Sequence, residues 1–302
     1  MSESVADGAG AEGSMAPAPV VTVAACQLGP VFGEVAANLR QVEAAVLLAA
    51  GAGAEVVVLP ELVTTGYVFG SVQEVRGLAE PVDGPSLQAI TTLAAELDLV
   101  IAGGFAELAA GDEVYNSAFL IDRSGVRAVY RKAHLWADER RWFKAGRQPP
   151  PVVDTDRGRI GILICYDLEF PEWTRIAALA GADLLCVPTN WPASPRPRGE
   201  RPIEVVRAQA AASVDRVFVV ACDRVGPERG VDWVGGSAIV GPHGYPLAQA
   251  EAGGRAQNLL ARCDLRLARD KSTSAVNNVV ADRRPELYGR LTLGRSYGRF
   301  EG

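Results

Sequence analysis

RIGILICYDLEFP, residues 159–171, changes from mostly apolar to mostly polar residues at its centre. Its first half contains the apolar run from Ile160 to Ile164, which is typical of a strand buried on both faces. Cys165 follows, and polar residues then lead into a helical pattern from Trp173 to Ala180. A thiol is therefore expected where a buried strand turns toward a helix, which is where α/β folds place nucleophiles. Taken alone, such a cysteine is more often a buried structural residue.

The composition is that of an ordinary globular protein. The chain has 302 residues, of which 48% are hydrophobic and 22% charged, so it is long enough to bury a substantial core. A formal net charge of −6 and the lack of a Lys/Arg cluster argue against nucleic-acid binding. No apolar run approaches 18 residues, so we expect no membrane span.

The five cysteines are odd in number and irregularly spaced, which favours a reduced, cytoplasmic protein without a disulfide framework. The chain has only two histidines and no glycine-rich phosphate loop, so we expect neither a metal nor a cofactor. The first 18 residues are rich in Gly, Ala, Ser and Pro and lack the pattern of a signal peptide. We expect a disordered tail over residues 1–18 and a single domain over residues 19–302.

Apolar strands alternate with helical patterns in both halves of the chain, which predicts an α/β fold. Strands are expected at residues 20–26, 55–59, 99–104, 114–121, 126–131, 160–164, 182–187, 217–222, 234–240, 246–249 and 258–263. Helices are expected at residues 38–50, 86–97, 173–180 and 203–213.

Three residues of reactive type each follow an apolar strand. Glu61 follows the strand at 55–59, Lys132 follows the strand at 126–131, and Cys165 follows Ile164. Because a sheet gathers the carboxyl ends of its parallel strands at one edge, these side chains could meet there. A neutral thiol needs a base or a nearby cation to become a nucleophile. The carboxylate can take its proton, while the lysine and the N–H of Tyr166 can stabilise an oxyanion.

Three motifs carry a resemblance to a known family: Pro60-Glu-Leu62, Tyr130-Arg-Lys-Ala-His-Leu135 and Cys165-Tyr-Asp-Leu-Glu-Phe-Pro-Glu172. In order and separation they resemble the signatures of the carbon–nitrogen hydrolase (nitrilase) superfamily, over about residues 20 to 290. The resemblance implies a four-layer αββα sandwich of two mixed β-sheets flanked by helices. It also implies that Glu61 is the general base, Lys132 the oxyanion stabiliser and Cys165 the nucleophile.

The family uses a second glutamate ahead of a glycine, and Glu139 and Gly146 match these places. Glu169 competes for this role, but we assign it to local structure. The resemblance also implies a homodimer or larger assembly, through helices flanking the nucleophile strand and through the C-terminal segment.

The residue after the nucleophile indicates the branch of the family. Nitrilases usually have tryptophan there, whereas Tyr166 resembles the aliphatic-amidase and ω-amidase-like branches. We therefore predict hydrolysis of small aliphatic or arylaliphatic amides to a carboxylic acid and ammonia through a cysteine thioester. A nitrilase, an N-carbamoyl amide hydrolase and, more distantly, an inactive binding or scaffold subunit are the alternatives.

An aromatic-lined pocket is expected beside the cysteine. Tyr67, Trp136, Asn190 and Trp191 are its candidate lining residues, although Trp191 could instead serve core packing or a dimer contact. A cysteine–histidine enzyme would use His134 or His243, but the sequence signature of papain-like proteases is absent around Cys165.

Overall fold

The computed structural model describes residues 19–292, so the predicted tail at residues 1–18 lies outside the described residues, as do residues 293–302. Two six-stranded mixed sheets face each other, and helices cover their outer sides. The αββα sandwich implied by the sequence motifs is confirmed.

The strands of this part of the chain are numbered in sequence order. They are β1 (Val20–Gln27), β2 (Val56–Val58), β3 (Val100–Leu108), β4 (Val114–Asp122), β5 (Gly125–Arg131), β6 (Val152–Thr155), β7 (Gly158–Ile162), β8 (Leu184–Pro188), β9 (Phe218–Cys222), β10 (Ala238–Val240), β11 (Pro246–Gln249) and β12 (Gln257–Asp264). The first sheet has the order β12-β1-β2-β3-β4-β5 and the second the order β11-β10-β9-β8-β7-β6. In each sheet three parallel strands, β1-β2-β3 or β7-β8-β9, form the centre, and antiparallel strands flank them.

The helices of the described residues are α1 (Val35–Gly51), α2 (Val72–Leu78), α3 (Pro85–Leu97), α4 (Glu139–Trp142), α5 (Pro171–Leu179), α6 (Ile203–Asp215) and α7 (Arg266–Arg269). Helices α1 and α3 bury their apolar faces against the first sheet, and α6 packs on β9 and β10 of the second. The strand faces that lie between the two sheets are buried as well. The central strands are therefore buried on both faces, which explains why they are apolar on both.

The predicted elements are largely present, and the differences have local causes. The sequence pattern does not predict α2 or β6. In α2, Val75 is buried and Val72 and Leu78 pack beside it, but seven residues are too few for helical periodicity to be recognised. The strand predicted at 234–240 pairs only over Ala238–Val240, because Gly235 (φ +59°) and Gly236 interrupt it. The strand before the cysteine ends at Ile162, two residues earlier than predicted.

The sandwich brings the strand ends that carry the candidate residues together. The segments after β2 and β8, from facing sheets, are joined where the Asn190 side-chain amide donates to the Glu61 carbonyl oxygen at 2.8 Å. Gly104 in β3 makes room for this arrangement, because a Cβ at that position would lie 2.5 Å from the Leu62 nitrogen.

Candidate active site

A buried cluster of two carboxylates and one ammonium lies at these strand ends. Lys132 Nζ donates to Glu61 Oε1 at 2.7 Å and to Glu139 Oε1 at 2.6 Å. Glu61 and Lys132 are completely buried, and Glu139 is 4% exposed. Because an isolated charge is costly to bury, the three side chains compensate one another.

The backbone around Lys132 is fixed on both sides. Its N–H donates to the Asn116 carbonyl oxygen on β4 at 2.9 Å, and its own carbonyl accepts from the Gly146 N–H at 2.8 Å. A Cβ at residue 146 would lie 2.0 Å from the Arg131 carbonyl oxygen, so only glycine permits this close approach. The glycine noted after Glu139 in the sequence is therefore needed for the position of the lysine.

Glu139 begins the short helix α4, and its carboxylate is held from several directions. Oε1 accepts from the Tyr67 hydroxyl at 2.5 Å as well as from Lys132, and Oε2 accepts from the Trp136 N–H at 3.0 Å. These contacts leave Glu139 anchoring the lysine rather than facing open solvent.

Asn116 is a site residue that sequence reasoning missed. It is fully buried on β4 and donates to Glu61 Oε1 at 2.7 Å. The available signal was a lone amide side chain in the apolar strand at 114–121. Such a side chain is costly to bury without a polar partner.

Cys165 occupies the first position of a 3₁₀ turn, Cys165–Glu169, with φ +45°, which is uncommon for a residue other than glycine. It is 7% exposed and borders a cavity, and its Sγ lies 3.8 Å from the Asn190 carbonyl oxygen. Tyr166 follows it in the first turn, where backbone N–H groups lack partners within the turn itself. Asn190 contacts both the Cys165 thiol and the Glu61 carbonyl oxygen, so Cys165 lies at the same strand ends as Glu61 and Lys132. The Tyr166 N–H belongs to the residue directly after the thiol.

Burial and charge set the protonation states of this site. Burial raises the pKa of Glu61 to about 7, and Lys132 opposes this rise. Burial also works to lower the pKa of Lys132, but the carboxylates of Glu139 and Glu61 outweigh it and raise that pKa well above its usual value. Burial and then the Glu61 carboxylate raise the pKa of Cys165. The resting site therefore holds a neutral thiol and a charged lysine.

Glu61 has the properties of a proton acceptor. Its Oε1 accepts the Lys132 and Asn116 hydrogen bonds, whereas Oε2 is buried and has no hydrogen-bond partner among the described residues. A carboxylate with a pKa near neutrality and a spare oxygen is suited to general-base chemistry.

The cavity at Cys165 has a volume of about 410 Å³. Trp136, Asn190 and Trp191 border it, as the sequence predicts. It is also lined by Tyr166, Leu168, Glu169, Pro192, Ala193, Ser194, Ile203, Glu204 and Arg207. Glu169, assigned from sequence to local structure, pairs with Arg207 at 2.8 Å, so one side of the cavity is charged.

Tyr67 does not border this cavity. It lines an adjoining cavity of about 240 Å³, and Trp136 and Pro192 lie between the two. Its hydroxyl instead donates to Glu139, and its predicted contact with the substrate stays a prediction. Trp191 is 5% exposed and packs in the core cluster, and it also borders the cavity at Cys165.

His134 is not arranged to activate the cysteine. Its Nδ1 lies 2.7 Å from Asp167 Oδ1, and its ring stacks on Phe170. Within residues 19–292, no group of three or more His, Cys, Asp or Glu side chains could hold a metal ion. No helix of this part of the chain is long and apolar enough to cross a bilayer.

Comparison with known proteins agrees with this geometry. The family model described as carbon-nitrogen hydrolase matches residues 22–270. The chain belongs to the carbon–nitrogen hydrolase family. A protein named nitrilase from Pyrococcus abyssi is 35% identical over 90% of this chain and 100% of its own length. An (R)-stereoselective amidase from Pseudomonas sp. is 35% identical over 74% of this chain and 78% of its own.

A solved structure shows both the fold and a reactive cysteine in a similar protein. It is a variant of the amidase from Nesterenkonia sp. AN1, in which acrylamide has undergone Michael addition to the active-site cysteine. It superposes with a TM-score of 0.74 at 26% identity and covers 90% of this chain and 99% of its own. The carbon–nitrogen hydrolase is therefore an amidase-like member of the nitrilase superfamily, as its motifs predict.

Proposed function

We propose that this hydrolase cleaves the C–N bond of small aliphatic or arylaliphatic amides, giving a carboxylic acid and ammonia through a thioester on Cys165. The observation that carries the proposal is the spare oxygen of Glu61, buried in a charged cluster at the strand ends that also hold the cysteine. In this assignment Glu61 is the general base, Lys132 the oxyanion stabiliser and Cys165 the nucleophile.

Acylation follows from these roles. Glu61 takes the Cys165 proton as Sγ attacks the amide carbon and the C=O electron pair moves to oxygen. Lys132 Nζ and the Tyr166 N–H stabilise the oxyanion, each worth about 3–4 kcal/mol by comparison with known oxyanion donors. When the carbonyl re-forms, the C–N bond breaks, Glu61 returns its proton to nitrogen, and ammonia leaves a thioester on Cys165.

Deacylation repeats these steps with water. Glu61 takes a proton from water as its oxygen attacks the thioester carbon, the C–S bond breaks, and the proton is returned to sulfur. The acid then leaves. Glu139 supports both halves of the reaction, because its carboxylate holds Lys132 in place and keeps it protonated.

The cavity supports small substrates with some polarity. Trp136 and Trp191 offer apolar contact, whereas Glu169 and Arg207 place charge at one side. Tyr166 in place of the usual tryptophan favours amides over nitriles. A nitrilase is the second candidate, because the relative from Pyrococcus abyssi carries that name.

Ammonia release from a panel of short amides, nitriles and N-carbamoyl compounds tests the proposal. We expect release from amides by the native chain, none by Cys165→Ala, and unchanged release by Cys186→Ala, which alters another buried cysteine at a strand of the same sheet. Turnover of nitriles alone would make the enzyme a nitrilase, and turnover of carbamoyl compounds alone an N-carbamoyl amide hydrolase. An active Cys165→Ala variant would overturn the assignment of the nucleophile.

A homodimer also belongs to this proposal. Ile176 and Leu179 on α5 and Val214 on α6 are exposed apolar side chains, and they line a groove with Leu291 from the C-terminal segment. Such a patch is typical of an interface. Light scattering should give twice the mass of one chain for the native protein and a smaller value for Leu179→Glu. The single domain over residues 19–302 and the cytoplasmic location stay predictions.

A further inference from the structure

The carboxylate of Asp167 joins the two segments that carry the proposed catalytic residues. It is completely buried, and its Oδ2 accepts from the Tyr130 hydroxyl at 2.8 Å and from the Ile164 N–H at 3.0 Å. Its Oδ1 lies 2.7 Å from His134 Nδ1 and accepts from the His134 N–H at 3.2 Å. One side chain thus receives contacts from both segments.

These contacts surround Lys132 and Cys165 in sequence. Tyr130 and His134 lie two residues before and two residues after the lysine. Ile164 lies directly before the cysteine, and Asp167 lies two residues after it. Fixing the flanking residues to one carboxylate fixes the two backbones relative to each other, although Asp167 itself contacts neither Lys132 Nζ nor Cys165 Sγ.

Tyr130 and His134, the partners of Asp167, are themselves held by contacts with other residues. The Tyr130 hydroxyl accepts from Trp173 Nε1 on α5 at 2.8 Å and from the Ala133 N–H at 3.3 Å. The His134 ring stacks on Phe170, with ring centroids 3.7 Å apart. Both partners of Asp167 therefore have further contacts that hold their orientation.

The turn at the cysteine gives a reason for such support. Cys165 has φ +45°, a left-handed conformation that costs free energy for a residue with a side chain. The hydrogen bond from the Ile164 N–H to Asp167 Oδ2 spans this residue and closes the turn around it. Without that bond, the thiol would lose the conformation that places it at the strand end.

We propose that Asp167 is a positioning residue that sets the spacing between the Cys165 thiol and the Lys132 ammonium. This inference rests on the roles assigned to those two residues under the proposed function. Oxyanion stabilisation requires the ammonium to lie within hydrogen-bond distance of the new oxygen, and a displacement of about 1 Å costs about 100-fold in rate. Asp167 would act on the chemical step and leave substrate binding largely unchanged.

Asp167→Asn is the direct test. A carboxylate is only an acceptor, and donors face both of its oxygens, so an amide must direct its NH₂ group at one of them in either orientation. We expect kcat to fall about 100-fold while KM changes less than about twofold. Alkylation of Cys165 by iodoacetamide, followed by the mass of the intact protein, should slow about tenfold in the same variant.

Asp183→Asn is the matched control. Asp183 is 2% exposed and accepts from the Arg159 N–H at 3.0 Å and from Arg269 Nε at 3.0 Å, so it too is a buried carboxylate that joins separate segments. It lies outside the proposed site. Its variant should lose thermal stability, as Asp167→Asn should, but keep the native kcat and alkylation rate where it is folded. Equal kcat values for the two folded variants would overturn the proposal.

Variants of the partners of Asp167 provide a second test. The single variants apply even if Asp167→Asn does not fold, and a double variant tests whether the effects are additive. Tyr130→Phe and His134→Gln each remove one partner of Asp167, and each should lower kcat about fivefold at unchanged KM. Adding Tyr130→Phe to Asp167→Asn should cost less than adding it to the native chain. Fully additive effects, or single variants with native kcat, would contradict the inference.

The alkylation assay separates this inference from the proposed function. If the native protein releases no ammonia from any amide, the proposed function fails, but the alkylation rates still compare the position of Cys165 in the two aspartate variants. If amides are hydrolysed, and Asp167→Asn has the native kcat and the native rate of Cys165 alkylation, only the positioning role is wrong.

Discussion

Two buried charged clusters in this molecule have opposite properties. One joins Lys132 to Glu61 and Glu139 at the ends of strands β2 and β5. The other pairs Arg224 with Glu228, whose atoms approach to 2.6 Å in the loop after β9. All five residues are 5% exposed or less, so burial alone does not distinguish a reactive cluster from a structural one.

The difference lies in how the carboxylate oxygens are used. Glu228 Oε1 accepts from the N–H groups of Tyr67 and Val68, and its Oε2 accepts from Arg224. Glu61 directs only Oε1 at partners, and its Oε2 has none among the described residues. A carboxylate whose oxygens are all engaged stabilises the fold, whereas one with a spare buried oxygen and a pKa of about 7 can accept a proton.

Glu61→Gln should abolish most of the activity without lowering stability. The amide cannot take the thiol proton, so we expect kcat/KM to fall by about 10³- to 10⁴-fold. Stability should be unchanged or higher at pH 8, because burial disfavours the charged form that the substitution removes. Ammonia release and thermal unfolding measure the two effects. A variant that unfolds early but turns over normally would reverse the assignment.

Glu228→Gln should have the opposite result. It weakens the pairing of a buried arginine, which is expected to cost about 3 kcal/mol of unfolding free energy. Because Glu228 contacts no proposed catalytic residue, kcat should stay within about fivefold of the native value where the variant is folded. Urea unfolding gives the first quantity. A larger loss of kcat in the folded protein would show that the second cluster also serves catalysis.

The pH dependence of kcat/KM also distinguishes Glu61 from Glu228. Burial raises the pKa of Glu61 to about 7, so its carboxylate is mostly protonated at pH 6 and mostly ionised at pH 8. Since the base must be ionised, kcat/KM should fall about tenfold per pH unit below pH 7. Glu228→Gln should keep this profile. A rate that stays constant down to pH 5 would exclude Glu61 as the titrating base.

Tyr67→Phe should have the smallest effect. The substitution removes only the hydrogen bond to Glu139 Oε1, while Lys132 and Trp136 still hold that carboxylate. A loss of about 1 kcal/mol in the transition state corresponds to about fivefold in kcat. Tyr115→Phe is the control, because its hydroxyl bonds to Glu113 outside the site. Equal kcat for the two variants would show that Glu139 needs no support from Tyr67.

The candidate catalytic residues could be predicted because each follows a strand directly. Glu61 and Cys165 each lie three residues beyond the end of β2 and β7, and Lys132 is the residue after β5, so chain order alone brings them toward the strand ends. Glu139 could be placed only by family resemblance. Its short helix has no pattern of its own.

Other parts of the site depend on contacts between distant segments. The amide of Asn116 reaches Glu61 from another strand, and Asp167 links two segments 33 to 37 residues apart in sequence. The pairing of Glu169 with Arg207 depends in the same way on α6 lying beside the turn. A sequence pattern shows that such polar residues exist in apolar surroundings, but only the packed sheets show which partners satisfy them.

Trapping the acyl-enzyme tests whether Cys165 attacks the amide carbon. Native protein is mixed with a short amide, quenched in acid within one turnover, digested, and weighed by mass spectrometry. We expect the peptide containing Cys165 to gain the mass of the acyl group, and the peptide containing Cys186 to keep its native mass. A burst of ammonia equal to the enzyme concentration with an unmodified Cys165, or with the acyl group on another residue, would contradict it.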